Sequence, residues 1–313
     1  MASMEKNVLK GCICLSGFLG LAGGAGAVML ARQTAFPRTL TLEAEEAYEK
    51  EHGLWGDFSS LERISYKVKG LGGYLLHCEM IPAKEPSSRY VILTHGYTSN
   101  RLGSVKYLSV YRDLGFNCII YDVRGHGENE KTAVSLGQFE AEDLRYLIED
   151  SYARWGEGIE LGLHGESMGS AISLSVLRSV SRLRFVVADC GFSNFYDLMS
   201  ELFTARHTRF LLPAVNQAMK LCCGYDMKKT DPAGAIAGTA VPICLIHGSA
   251  DGFIHPRHSE ILSRKAGGYC ELHIAEGARH AQSRAHIGEE AYEAIVRDFL
   301  VKIGERESGE ALL

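Results

Sequence analysis

The rhythm of apolar and polar positions changes several times along the chain, and each change predicts an element. Residues 11–31 carry no charged side chain, and as a helix rising about 1.5 Å per residue they would reach about 30 Å, the thickness of bilayer hydrocarbon. Residues 41–52 are acidic with scattered apolar positions. That pattern predicts a short helix linking the terminus to the domain, with Thr41 as its cap and acidic residues at the positive helix end. Residues 64–68 and 74–80 read as strands joined around Gly70, Gly72 and Gly73, an antiparallel pair with Pro82 and Pro86 marking the turn beyond.

From residue 90 onward short apolar runs alternate with longer helical patterns. Strands are expected at 90–94, 117–121, 159–163, 185–188, 242–246 and 270–274, and helices at 102–114, 138–154, 167–180, 256–265 and 285–301. Strand, helix and strand buried on both faces require a parallel sheet. The fold class is therefore α/β, a mostly parallel sheet of about eight strands with helices on both faces. Residues 194–240 break the alternation. A connection of that length is too long for a structureless loop, so it reads as a small helical cap, with Phe195, Tyr196, Leu198, Met199, Leu202, Phe203, Phe210, Leu211 and Leu212 as its apolar inner surface. The expected organisation is an anchor or signal segment at 1–37, a linker with a short helix at 38–59, the main domain at 60–302 enclosing the cap, and a flexible tail at 303–313.

Composition narrows the function. With 46% apolar and 23% charged residues among 313, the chain has ample material for a core. Thirty-three basic against 38 acidic residues, a net charge of −5, supply no positive field of the kind that gathers nucleic acid. The uncharged N-terminal stretch has three readings. It is a membrane anchor, which puts the catalytic domain on the outer face; or Lys6, Lys10 and the apolar residues 12–22 form a signal peptide cleaved near Ala25-Gly26-Ala27; or it is a disordered or packed terminus. Seven of the nine cysteines follow it, an odd number without the spacing of a disulfide framework, and Cys78, Cys118, Cys190 and Cys244 sit in strand-like runs as packing residues. Adjacent Cys222 and Cys223 lack the spacing of a zinc site.

The chemistry begins at Gly165-Glu166-Ser167-Met168-Gly169. It follows a strand and precedes an apolar helix, the context a G-x-S-x-G nucleophile elbow needs. Gly165 and Gly169 leave room for a sharp turn, and Ser167 stands at a helix N-terminus where free amides stabilise negative charge. A hydroxyl needs a base, and His280, in the loop after the last strand, is the best placed of the histidines. Asp251, just after strand 242–246, supplies the acid that orients it. Ser167, Asp251 and His280 follow one another in nucleophile, acid, base order, all at the C-terminal ends of parallel strands. The oxyanion donors are expected to be the backbone N–H groups of Met168 and Tyr97. Asp189, His95 and His247 are weighed as structural neighbours. His255 and His258 have metal-compatible spacing but no further ligand, so no metal is expected. Asp122 and Arg124 are expected to pin the Gly-rich loop 122–127 through a buried ion pair or hydrogen bonds.

As a set, His95-Gly96, Asp122-Val123-Arg124-Gly125-His126-Gly127, Gly165-Glu166-Ser167-Met168-Gly169, Asp251 after His247-Gly248-Ser249-Ala250, and His280 resemble the α/β-hydrolase superfamily over about residues 60–302. The chain looks like the serine-aminopeptidase-like and monoacylglycerol-lipase-like branch, especially bacterial membrane-associated members with a His-Gly-x-Thr-x-Asn oxyanion loop. One departure is Glu128-Asn129, where that family commonly places Ser after the arginine loop. The resemblance implies a serine hydrolase with a lid. Carboxylic esters are the expected substrates. Short peptides are the alternative, with Glu166, Glu201 or Asp197 as candidates to hold a free amine, and a noncatalytic membrane-associated binding protein is the reading from another class. No nucleotide, flavin or haem cofactor is expected, and neither oligomeric state nor acyl-chain length follows from the residues.

Overall fold

The computed structural model describes residues 23–308. Eight strands form one sheet in the order β1-β2-β4-β3-β5-β6-β7-β8. They are β1 (Ile64–Lys69), β2 (Leu75–Ile81), β3 (Arg89–Thr94), β4 (Asn117–Tyr121), β5 (Glu160–Glu166), β6 (Val186–Asp189), β7 (Ile243–Gly248) and β8 (Cys270–Ala275). β2 pairs antiparallel with β1 and with β4, and every pairing from β4 to β8 is parallel. The apolar runs of β3 and β4 become the fully covered middle of the sheet because both faces carry helices. Within β3, Tyr90 and Ile92 join one core layer while Val91 and Leu93 join the other, the two-residue alternation of a strand covered on both sides. This is the α/β-hydrolase fold, with helices on both faces.

One face is covered by the helices Gln138–Trp155, Met168–Ser175 and Arg257–Lys265, and the other by Leu108–Asp113 and Glu289–Ser308. The first of these is stopped from unwinding at its start by Glu140, whose carboxylate accepts from the Ser135 and Gly137 N–H groups. The helix expected at 102–114 is a 3-10 segment, Arg101–Tyr107, followed by a short α-helix. Its entry is tied down by Asn100, which caps the Leu102 N–H, and by Asp122, which accepts from the Arg101 N–H. The last helix runs to Ser308, past the expected domain end at 302, and residues 309–313 lie outside the described residues.

The cap is helical as expected, with Phe195–Thr204, Leu212–Cys222 and Pro232–Ile236. Phe195, Leu198, Met199, Phe203 and Leu212 are buried in the core, but Phe210 is 71% exposed and belongs to no inner surface. It sits in a 3-10 turn that leads into the next helix and turns its ring away from the domain.

The N-terminal residues are more closely involved than a linker would be. Helix Gly23–Ala35 lies on cap helix Leu212–Cys222 with Ala27, Ala31 and Ala35 buried, a four-residue spacing of small side chains that allows close helix approach. Within the uncharged stretch the helix face bearing Ala27 and Ala31 is therefore packed on protein while Val28 and Met29 are exposed, and the small-residue sequence Ala25-Gly26-Ala27 lies inside this helix. The remainder of the expected span, 11–22, lies outside the described residues, together with Lys6 and Lys10. Among the described residues no helix is long and apolar enough to cross a membrane. Helix Leu42–Glu51 follows, and the Thr41 hydroxyl accepts from the Ala44 N–H as a cap.

Candidate active site

The loops after β3, β5, β7 and β8 meet at the C-terminal edge of the parallel strands. The sharpest turn follows β5. Ser167 has φ 56° and ψ −115°, a left-handed conformation that L residues adopt only when their surroundings enforce it. Its N–H donates to the Asp189 carbonyl at 2.8 Å. A Cβ on Gly165 would stand 2.1 Å from the Gly169 carbonyl oxygen, and one on Gly169 would stand 2.0 Å from that of Thr94. Both glycines are thus demanded by backbone contact. Ser167 makes no capping bond to the helix it begins.

Its hydroxyl is committed elsewhere. Ser167 Oγ lies 2.9 Å from His280 Nε2, and His280 Nδ1 lies 2.7 Å from Asp251 Oδ2. The other oxygen of Asp251 accepts from the Phe253 and Ile254 N–H groups, each at 2.9 Å. Burial would raise the Asp251 pKa. Hydrogen bonding to His247 and His280, the charge of His280 and the Ile254 N–H outweigh it and hold the carboxyl well below the usual range. Ser167 is 7% exposed and Asp251 3%. A charge developing on the imidazole would thus meet a fixed carboxylate in a site largely closed to water. Phe253 meets the His280 ring edge to face, with centroids 5.0 Å apart.

The loop after β3 runs against this turn. A Cβ on Gly96 would stand 3.6 Å from both the Ser167 Cβ and the Glu166 carbonyl oxygen, so the loop bearing Tyr97 touches the turn that carries Ser167 directly. His95 has its ring nitrogens committed elsewhere. Its Nδ1 is 2.8 Å from the Gly96 carbonyl and its Nε2 accepts from the Val123 N–H, while burial lowers its pKa to about 4.

The remaining candidates have structural partners. Asp189 bonds to the Ser283 and Tyr292 hydroxyls and has no bond to His280; burial, with the nearby charge of Glu166, raises its pKa to about 6. His247 is held by Ser259 and the Ile254 carbonyl, yet its Nε2 also stands 3.3 Å from Asp251 Oδ2. That second support for the acid was not anticipated, because only the turn 248–254 brings the two together. His258 bonds Ser193 at 2.8 Å. No group of three potential metal ligands exists among the described residues, and all seven cysteines there are free.

Asp122 and Arg124 pin their loop through different partners, not each other. Arg124 pairs with Asp143, while Asp122 accepts from the Arg101 guanidinium at 2.6 Å and from the Glu128 N–H. The unusual Glu128-Asn129 pair is absorbed into this arrangement: Glu128 binds Arg101, and Asn129 bonds the Asp122 carbonyl and His77. Of the three carboxylates considered for a substrate amine, Glu166 is bound to Lys106 at 2.7 Å and to the Tyr107 hydroxyl, and Glu201 is paired with Arg257. Asp197 is exposed in the first turn of its helix.

Comparison with known proteins agrees with this architecture. Residues 85–190 match the family described as serine aminopeptidase, S33. The uncharacterized protein YqkD of Bacillus subtilis (strain 168) is 29% identical over 255 residues, covering 80% of this chain and 83% of that protein. The Pyrococcus furiosus esterase Pf2001 superposes with a TM-score of 0.61 at 19% identity, over 79% of this chain and 94% of the esterase. A puromycin-hydrolyzing peptidase of Mycobacterium tuberculosis gives 0.60 at 18% identity, over 78% of this chain and 39% of the peptidase.

Proposed function

We propose that the chain, which has the α/β-hydrolase fold and matches the serine aminopeptidase S33 family over residues 85–190, is a serine hydrolase that cleaves carboxylic esters through an acyl-enzyme intermediate. The observation that carries the reading is the continuous path from Ser167 Oγ through His280 to Asp251, at 2.9 and 2.7 Å, starting from a serine held at φ 56°. In this mechanism His280 Nε2 takes the hydroxyl proton as Ser167 Oγ attacks the carbonyl carbon, and the Met168 and Tyr97 N–H groups receive the oxyanion. His280 then protonates the leaving alcohol. Water enters, gives its proton to His280 and attacks the acyl carbon, and collapse releases the acid as His280 returns that proton to Ser167 Oγ. Asp251 keeps the ring proton on Nδ1 throughout, so that Nε2 faces the serine as an acceptor.

Esters are preferred to peptides because two of the three carboxylates that would recognise a free amine are already neutralised, Glu166 by Lys106 and Glu201 by Arg257. The family match to serine aminopeptidases keeps peptide cleavage as the second reading. A panel of p-nitrophenyl esters set beside aminoacyl amides, with fluorophosphonate labelling and Ser167→Ala as control, tests both. Ester turnover and labelling that vanish in Ser167→Ala support the proposal. Amide cleavage without ester cleavage transfers it to the peptidase reading, and a folded protein that neither labels nor turns over points to a binding role. Attachment to a membrane through residues 11–31 is a separate proposal, tested by fractionating the full chain against one beginning at residue 23.

A further inference from the structure

The loop 95–100 stands on the nucleophile turn, yet little within the loop holds it in shape. Its internal backbone bond, Ser99 N–H to the Gly96 carbonyl, is long at 3.4 Å. Thr98 has φ 70°, a left-handed conformation disfavoured for a β-branched residue. His95 and Asn100 anchor its ends, to the Val123 and Leu102 N–H groups, and what holds the residues between them comes from the N-terminal residues that precede the sheet. The Leu40 N–H donates to the Thr98 carbonyl at 2.8 Å, the Tyr97 hydroxyl donates to the Thr34 carbonyl at 2.8 Å, and Asn100 Nδ2 reaches the Leu40 and Thr41 carbonyls at 3.3 Å each. The Ser99 hydroxyl donates to Glu45 Oε1 at 2.8 Å. Every residue from Tyr97 to Asn100 is therefore bonded to residues 34–45.

Glu45 links this strap to the ground behind the nucleophile. It is 2% exposed, its second carboxylate oxygen has no partner, and with Glu49 one turn on it faces Lys106, which binds Glu166, the residue before Ser167. We propose that residues 34–49 position the oxyanion loop, and that Glu45 is the positioning residue through which the strap grips it. This rests on the serine-hydrolase reading and adds a determinant to it. A displacement of the loop by a fraction of an ångström would leave the hydrogen bonds among Ser167, His280 and Asp251 intact while moving the Tyr97 N–H away from the oxyanion, so the defect would fall on the transition state and not on ester binding.

The charges make the grip depend on pH. Glu45 is faced by Ser99 and Glu166 and by the ammonium of Lys106, with Glu49 and Tyr48 on its own helix, and Arg284 acts on Glu49. Burial raises the Glu45 pKa to about 7 and that of Glu49 to about 8. Burial penalises the ionised forms by more than the Ser99 bond and the Lys106 charge favour them, so the strap holds in acid and loosens as pH rises through that range.

The test uses the full chain, p-nitrophenyl acetate turnover, the rate of fluorophosphonate labelling, and hydrogen exchange at residues 96–100. Glu45→Ala is expected to lower kcat by about 10- to 100-fold, short of the full loss of an oxyanion donor, with KM within about 2-fold and faster exchange at 96–100. Glu45→Gln, which keeps an acceptor for Ser99 and mimics the protonated carboxyl, should restore most of that kcat at pH 6 and weaken the alkaline fall. If Glu45→Ala does not fold, Tyr97→Phe removes the bond to Thr34 and should lower kcat by about 3- to 10-fold in the same KM-independent way. A labelled, active wild type whose folded variants keep kcat within 2-fold, or lose only KM or melting temperature, overturns this inference alone. A wild type that neither labels nor turns over overturns the serine-hydrolase reading and this inference with it.

Discussion

Asp251→Asn probes the reaction while disturbing little else. Asparagine matches aspartate in shape, and its Oδ1 can still accept from the Phe253 and Ile254 N–H groups now at 2.9 Å. The turn should therefore fold as before. The change falls on the other atom. Asp251 Oδ2 stands 2.7 Å from His280 Nδ1 and 3.3 Å from His247 Nε2, and an amide NH₂ placed there can only donate. His280 must then present a bare Nδ1 to it and carry its proton on Nε2, facing Ser167 Oγ, where an acceptor is needed. The same exchange in a serine protease triad lowers kcat about 10⁴-fold, or about 5.5 kcal/mol at 1.36 per decade. Here the carboxyl is buried and held by the same kind of bonds, so a loss of that order is expected, with KM changed by less than about 3-fold. Steady-state turnover of p-nitrophenyl acetate and the fluorophosphonate labelling rate should fall together, with melting temperature lowered by only a few degrees. A folded Asp251→Asn protein that retains more than a tenth of wild-type kcat would refute the assignment of Asp251 as the orienting acid, and Asp189 would be the next carboxylate to substitute.

The packing predicts further outcomes. Gly169→Ala would place a methyl 2.0 Å from the Thr94 carbonyl oxygen, so it should cost at least about 3 kcal/mol in urea unfolding; a near-neutral effect would mean that the elbow can open. Arg101→Met leaves Asp122 and Glu79 without their buried guanidinium and should cost about 3–5 kcal/mol, whereas a loss below 1 kcal/mol would show that water reaches these carboxylates. Because burial raises the pKa of Glu45 to about 7 and of Glu49 to about 8, both above the ordinary value of 4.5, the folded state binds protons that the unfolded chain has released. Their stabilising effect is full below pH 4.5 and is lost as pH rises through 8. Urea midpoints should fall between pH 7 and 9, above the range in which the buried, neutral His95, His126 and His164 act in the opposite direction, and Glu49→Gln should flatten the fall; a Glu49→Gln protein with the wild-type pH dependence would contradict the burial of this carboxyl.

Much of the molecule was legible in the residues alone. Strands β1 to β8 lie within three residues of their expected runs, and the central ones, β3, β4, β6 and β7, were legible because a strand covered on both faces must be apolar throughout. The elbow was legible for a related reason. Gly165 and Gly169 answer backbone contacts between residues close in sequence and the strand beside them, so the constraint is written locally. Thr41 announced its helix through the same kind of short-range bond.

What the residues did not disclose depends on partners far away in the chain. Nothing near Arg101 indicates that its guanidinium will bind Asp122, nor near Phe210 that its ring will face solvent while Phe203 is buried. The N-terminal residues illustrate the point most fully. Read by hydropathy, 23–31 continue a membrane span and 38–59 are a linker, since an uncharged stretch suits lipid and a protein surface equally well. Only the folded chain places Ala27 and Ala31 on the cap and brings Leu40 and Glu45 to the loop beside Ser167. Local pattern records which positions avoid water and where the backbone must bend. Which distant groups satisfy one another is a property of the closed structure, because hydrogen bonds and ion pairs across 54 or 113 residues leave no periodic trace.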